Sequence, residues 1–192
     1  MSRFRAFGVV LVTVSVVLAA GACSSDSKDA TPTSRKALVF GDGPSATKLA
    51  VCSAYKIPAM KKVVGGGKHF RVLAPTSIGK KGDPVTGETC SWEQRGSGSK
   101  ARSLQVEIRD YGKDTAAVAA QFDVLKARTT GAVDVANTGD RSFSSESADA
   151  TLLQIQSGSH LLTISSRGAG GLDPVPLGTL QFMAGAALAK LT

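Results

Sequence analysis

Gly87-Glu88-Thr89-Cys90-Ser91-Trp92-Glu93, running across a Gly/Ser turn into Ser103-Leu104-Gln105-Val106-Glu107-Ile108-Arg109-Asp110-Tyr111, is the stretch whose reading decides the fold. Cys90 and Trp92 fall on one side of an extended chain, and Leu104, Val106 and Ile108 fall on one side of its neighbour. Both segments therefore present one apolar face at a period of two. The intervening Arg95-Gly96-Ser97-Gly98-Ser99-Lys100 has the composition of a turn. These features predict a central hairpin that carries the only Trp of the chain.

Upstream of this hairpin the signals are helical. Ser45 suits an N-cap for a short helix through Leu49 and Cys52. Pro58 stops it and starts another through Met60, Val63 and Val64, which Gly65-Gly66-Gly67 ends. Ala37-Leu38-Val39-Phe40 reads as a short edge strand, and His69 to Ala74 alternates as a strand. Pro75 to Gly87, rich in Gly, Pro and Lys, reads as a long exposed loop. Downstream, Asp114 caps a helix through Val118, Phe122 and Leu125, and Gly131 lies beyond its end. Strand signals follow around Ala132 to Ala136 and Arg141 to Ser144, then at Thr151 to Gln156 and His160 to Ser166, the last two joined by Ser157-Gly158-Ser159. Leu177, Leu180, Ala184, Ala187, Leu188 and Leu191 keep helical spacing to the end. Antiparallel strands with helices at the start, middle and end predict an α+β domain, a twisted antiparallel sheet with helices packed on one face.

The first residues have another character. Arg3 and Arg5 precede the apolar run Phe7 to Ala20, and Gly21-Ala22-Cys23 follows. That order is the charged region, short apolar region and small-residue cleavage site of a signal peptide, and the run is shorter than a bilayer span requires. Ala20-Gly21-Ala22 fits ordinary secretory cleavage, whereas Ala-Gly-Ala-Cys resembles a bacterial lipobox with Ala20 where Leu is usual. The cysteine count favours the lipobox. Three Cys leave one thiol over in an exported chain; if Cys23 is acylated, Cys52 and Cys90 form one pair. Such a bond closes a loop of about 38 residues and contributes on the order of 4 kcal/mol in the chain-entropy model. The expected organisation is a lipoprotein signal peptide over 1–22, lipidated Cys23 and a polar tether over 23–36, and one domain over 37–192. The expected location is the outer surface of the cytoplasmic membrane.

The formal net charge is +8, and loss of Arg3 and Arg5 with the leader makes it +6. A basic exported domain is drawn to anionic headgroups. Aromatic residues are 5% of the chain, too sparse for the stacking surface of a single-strand nucleic-acid binder.

Catalytic signals are weak. Ser53-Ala54-Tyr55-Lys56 fits the Ser-x-x-Lys pattern, but so do Ser77 to Lys80 and Ser97 to Lys100, and the companion Ser-Asp-Asn and Lys-Thr-Gly motifs are absent. His69 and His160 fall in separate strands with no Cys or carboxylate at metal-ligand spacing, so no metal or cofactor is expected. Tyr55, Trp92, Arg109 and Tyr111 form the candidate binding surface, because Trp and Tyr join apolar area to a polar handle. Trp92 also suits the core beside a disulfide, the reading favoured for it. Arg109 and Tyr111 alternate opposite to Leu104, Val106 and Ile108, so they are expected on an open face.

The lipobox-like leader, the polar tether, the helical Cys52 followed by Val63-Val64-Gly65-Gly66, Gly87-x-x-Cys90-x-Trp92, Gly139-Asp140-Arg141-Ser142-Phe143 and the C-terminal Ala/Leu helix together resemble a set of actinobacterial lipoproteins of unknown function. More loosely, they resemble the extracellular sensor domains of actinobacterial serine/threonine kinases. The resemblance implies a disulfide, surface anchoring and an α+β sheet domain, with no catalytic residue to carry over. The resulting expectation is a monomeric, non-enzymatic binding or sensing module, anchored in the bilayer through Cys23. Its partner would be a small apolar ligand, an envelope component or a protein. A serine hydrolase of envelope material and a structural accessory of a membrane complex are the alternatives.

Overall fold

The computed structural model describes residues 49–65, 69–96 and 99–191. The expected signal peptide, Cys23, the tether and the edge strand at Ala37 to Phe40 lie outside them. A 3-10 turn, Val51–Ala54, leads into α1, Ile57–Val64. Then come β1, Phe70–Ile78; β2, Thr86–Arg95; β3, Ala101–Asp110; and α2, Thr115–Arg128. The chain continues with β4, Val133–Asp134; β5, Arg141–Glu146; β6, Ala150–Ser157; β7, His160–Ala169; and α3, Leu177–Leu188. The strands form one seven-stranded sheet in the order β1-β2-β3-β7-β6-β5-β4, with every pairing antiparallel.

The central hairpin forms as expected, with Cys90 opposite Val106 and Trp92 opposite Leu104. On the same face β7 adds Ile164 beside Val106 and Leu162 beside Ile108, and β6 adds Leu153 and Ile155. Against these pack Val51, Tyr55, Met60 and Val64 from the N-terminal segment, and Leu180, Met183, Ala184 and Ala187 from α3, in one cluster. The helical spacing of that last set explains why α3 lies along the sheet. Gly87 lets β2 close on β3, since a Cβ there would sit 2.0 Å from the Ile108 carbonyl oxygen. A Cβ at Gly168 would similarly meet the Leu172 oxygen at 1.8 Å, so the return into α3 requires glycine.

The Cys52–Cys90 disulfide is formed, with Cα atoms 5.6 Å apart. It joins the 3-10 turn to the middle of β2. Beside it the fully buried Glu88 accepts a hydrogen bond from the Cys52 backbone N–H through Oε1, at 3.0 Å. That N–H lies in the first turn of a helical segment, where no intrahelical partner exists, so the carboxylate supplies one.

Three features differ from expectation in detail. The helix expected from Ser45 through Cys52 is, in its described part, the single 3-10 turn. The loop expected from Pro75 is shorter, because β1 continues through Pro75 to Ile78. A register shift between Leu73 and Thr76 takes up one extra residue there. An edge-strand bulge tolerates proline, which has no N–H to give to the ladder. Finally, α1 and α3 cover one face as expected, while α2 covers part of the other. Val118 and Phe122 of α2 pack with Phe143 and Leu161, which alternate opposite to Ser142, Ser144 and Leu162 on their strands. Phe122 and Phe143 meet edge to face at 5.3 Å, and the Arg141 guanidinium lies 4.5 Å over the Phe122 ring while pairing with Asp123. The Asp114 carboxylate caps α2, accepting from the Ala117 N–H at 2.8 Å.

Candidate functional site

With α2 seated over β5, β6 and β7, the second face of the sheet stays open over β1, β2, β3 and the far half of β7. The reason lies in the strands themselves: Thr89, Ser91 and Glu93 of β2, and Ser103, Gln105 and Glu107 of β3, alternate with the core residues. Register aligns them across the sheet. Arg71, Glu93, Ser103 and Arg167 form one cross-strand row, and Leu73, Ser91, Gln105 and Ser165 form the next. A cavity of about 240 Å³ lies over the second row and over Glu93, Ser103 and Arg167 of the first, lined by these and by Leu73, Ser91, Gln105 and Ser165. A larger hollow of about 490 Å³ continues past the strand ends, where Arg95, Arg102 and Asp149 join Glu93, Ser103 and Arg167. Glu93, Ser103 and Arg167 belong to both, so the two form one groove.

The charges along the groove have different duties. Arg95 pairs with Glu93 at 3.4 Å. Arg102 donates from Nε to the Asp173 oxygen at 2.6 Å and from Nη1 to the Val64 oxygen at 3.4 Å, fastening the carbonyl end of α1. Arg71 and Arg167 make no ion pair with an acid among the described residues. They are exposed guanidinium groups at opposite ends of one row, with serine hydroxyls between the strands they occupy. That combination offers bidentate and single hydrogen-bond donors to oxygen-rich ligands.

The four residues singled out from the sequence divide between the two faces. Tyr55 and Trp92 meet edge to face at 5.4 Å and 80°, and the Tyr55 hydroxyl donates to the Met183 oxygen at 3.1 Å. Both are buried in the core, under α3 and beside the disulfide. Arg109 and Tyr111 belong to the opposite face, as their alternation implied. Arg109 donates from Nε to the Glu107 carboxylate at 2.6 Å. This bond raises its already high pKa, against the lowering effect of partial burial, with a smaller raising contribution from Tyr111. Tyr111 packs on the edge of the α2 cluster and lines a separate hollow of about 590 Å³ with Pro84, Val85, Lys113, Asp114 and Ala117. Arg71, Glu93, Ser103 and Arg167 were not singled out from the sequence, and Glu88 was missed as well. The alternation around Phe70, Val72 and Ser166 places Arg71 and Arg167 on the polar side, but only the register of four strands brings them into one row.

Burial pushes the Tyr55 phenol pKa well above its ordinary value. Its neutral form is favoured in the fold, so this contribution to stability is present below about pH 10, the ordinary phenol pKa, and is lost as pH rises above it. The Y55F variant is expected to lose about 1 kcal/mol at neutral pH with the Met183 hydrogen bond. Its melting temperature should then fall less steeply than the wild type's in alkaline buffer; parallel curves would contradict the assignment.

Ser53 donates its hydroxyl to the Ala50 oxygen at 2.6 Å and is exposed, as is Lys56. His160 lies 3.7 Å from Asp110, and His69 is exposed on the far edge of the sheet. No three His, Cys, Asp or Glu residues among those described come together as a metal site. No helix among the described residues is long and apolar enough to cross a membrane.

The fold and groove define a class, a disulfide-stapled α+β sheet domain whose second face is covered by α2 at one end and open at the other. No family model matches the chain, and neither the curated proteins nor the solved structures yield a match.

Proposed function

We propose that the protein is a lipid-anchored, extracytoplasmic, non-enzymatic binding module that holds a polar envelope component on the open sheet face. The observation that carries this reading is the groove lined by Glu93, Ser103 and Arg167, with Arg71 at the end of the same cross-strand row. Among the described residues, Leu73 is the one large apolar side chain exposed in it, at 41%. Arg167 and the hydroxyls of Ser91, Ser103 and Ser165 supply donors for a ligand that carries oxygen acceptors, beside the carboxylates of Glu93 and Asp149. The leader, the acylated Cys23 and the tether would keep this face within reach of the envelope, and a diacylated chain anchors firmly because each buried methylene contributes about 0.8 kcal/mol.

Native mass spectrometry of the full protein, extracted in mild detergent from a bacterium that exports it, tests the reading. The wild type is expected to carry an added mass that denaturation releases, and R167E, an exposed change, is expected to lose it while remaining folded. An added mass retained by R167E would place the ligand elsewhere. A wild type without added mass would contradict stable ligand carriage.

A further inference from the structure

α3 departs from the usual pattern of a helix lying on a sheet. Its inward positions Leu180, Met183, Ala184 and Ala187 are buried. Half a turn away, Gly178, Phe182, Gly185 and, at the C-cap, Ala189 are exposed, and none carries a polar side chain. A helix with one side in water ordinarily carries polar groups there; in α3 the polar side chains, Thr179 and Gln181, are only half-exposed beside this stripe. Phe182 is 81% exposed, more than any other large hydrophobic residue among those described.

α1 shares the same core cluster on the same face of the sheet, so its outer side belongs to the same layer. There Lys61 and Lys62 are exposed beside Pro58, Lys56 is exposed at the N-cap, and Lys190 follows α3. Neither 49–65 nor 174–191 contains an Asp or Glu. The described acids lie instead on the strands, their loops and α2. The layer therefore combines an uncovered aromatic ring with charge of one sign, the pairing that seats interfacial helices on anionic lipid. That single sign also argues against a second copy as occupant, since two such layers would set lysine against lysine.

We propose that the outer side of α1 and α3 rests on an anionic lipid bilayer, with Phe182 in the headgroup region and Lys56, Lys61 and Lys62 against anionic headgroups. This goes beyond the binding role of the groove and gives it an orientation. The part of the groove over Leu73, Ser91, Gln105 and Ser165 lies on the opposite side of the sheet and is turned towards the envelope. The inference stands on the described residues alone and does not depend on acylation of Cys23.

The test uses the full chain in vesicles of phosphatidylglycerol and phosphatidylcholine with brominated acyl chains, which quench indole emission at short range. Trp92 is buried and supplies a constant background. The emission added by F182W is expected to fall about twofold or more, as for a side chain placed at the headgroup–acyl boundary. That added by L73W, on the opposite face, should be unaffected. Combining F182W with K61E and K62E, or replacing phosphatidylglycerol by phosphatidylcholine, should restore emission. Equal responses of F182W and L73W would overturn the proposal. An F182W emission that shifts to the blue with protein concentration but escapes quenching would assign the layer to a second copy and overturn it too.

Discussion

Removing the Cys52–Cys90 bond, by the paired substitution Cys52→Ala and Cys90→Ala, is expected to lower the melting temperature by roughly 10–15 °C. The sequence separation of 38 residues sets the scale. Closing a loop of that length removes about 4 kcal/mol of conformational freedom from the unfolded chain. The bond joins a short 3-10 turn, which has little cohesion of its own, to a core strand. Glu88 would still hold the Cys52 N–H, so the turn keeps one tie to β2 and the fold survives in weakened form. Thermal unfolding followed by circular dichroism checks this. A melting temperature within about 2 °C of the wild type, less than 1 kcal/mol for a domain of this size, would mean that the staple contributes little.

Trp92→Ala is expected to cost about 4 kcal/mol, within the range for deleting a large buried aromatic side chain. Trp92 is 3% exposed and packs edge to face on Tyr55, a contact that contributes on the order of 1 kcal/mol beyond its area. Its backbone position opposite Leu104 lies in the central hairpin, where neighbouring strands cannot move in to fill the void. W92F, which keeps a ring against Tyr55, should recover at least half of the loss. Urea titration of both variants separates this account from a ligand-facing Trp92. A ligand-facing residue would lose binding with little change in the unfolding midpoint.

Much of this architecture is legible in the chain because its determinants are local. The hairpin of β2 and β3 is written in strict alternation, the start of α2 in Asp114, and the β6–β7 turn in Ser157-Gly158-Ser159. The pairing of Cys52 with Cys90 is legible only on the reading that lipid takes Cys23. What escapes is set by groups distant in sequence. β1 runs past Pro75 because an edge strand needs no N–H at a bulge, and no local signal marks an edge. The seat of α2 on the second face is encoded in the adjacent apolar pairs Leu152-Leu153 and Leu161-Leu162, which suit strands buried on both sides. The single-face expectation followed instead from β2 and β3, where one side is polar. Tyr55, Trp92, Arg109 and Tyr111 share chemistry but not a surface, since alternation sends Trp92 and Arg109 to opposite faces. The groove row could not be found from composition, because it exists only where β1, β2, β3 and β7 come into register.

Hydroxyl-radical footprinting in intact cells, compared with the protein purified in detergent, tests the role of the open face most directly. Leu73 in the groove and Val124 on α2 are each 41% exposed, which makes them a matched pair. A groove that is occupied in the envelope predicts that labelling of Leu73 falls in cells while labelling of Val124 is unchanged. Equal labelling of the two in both settings would mean that the groove is empty where the protein works, and would contradict the account.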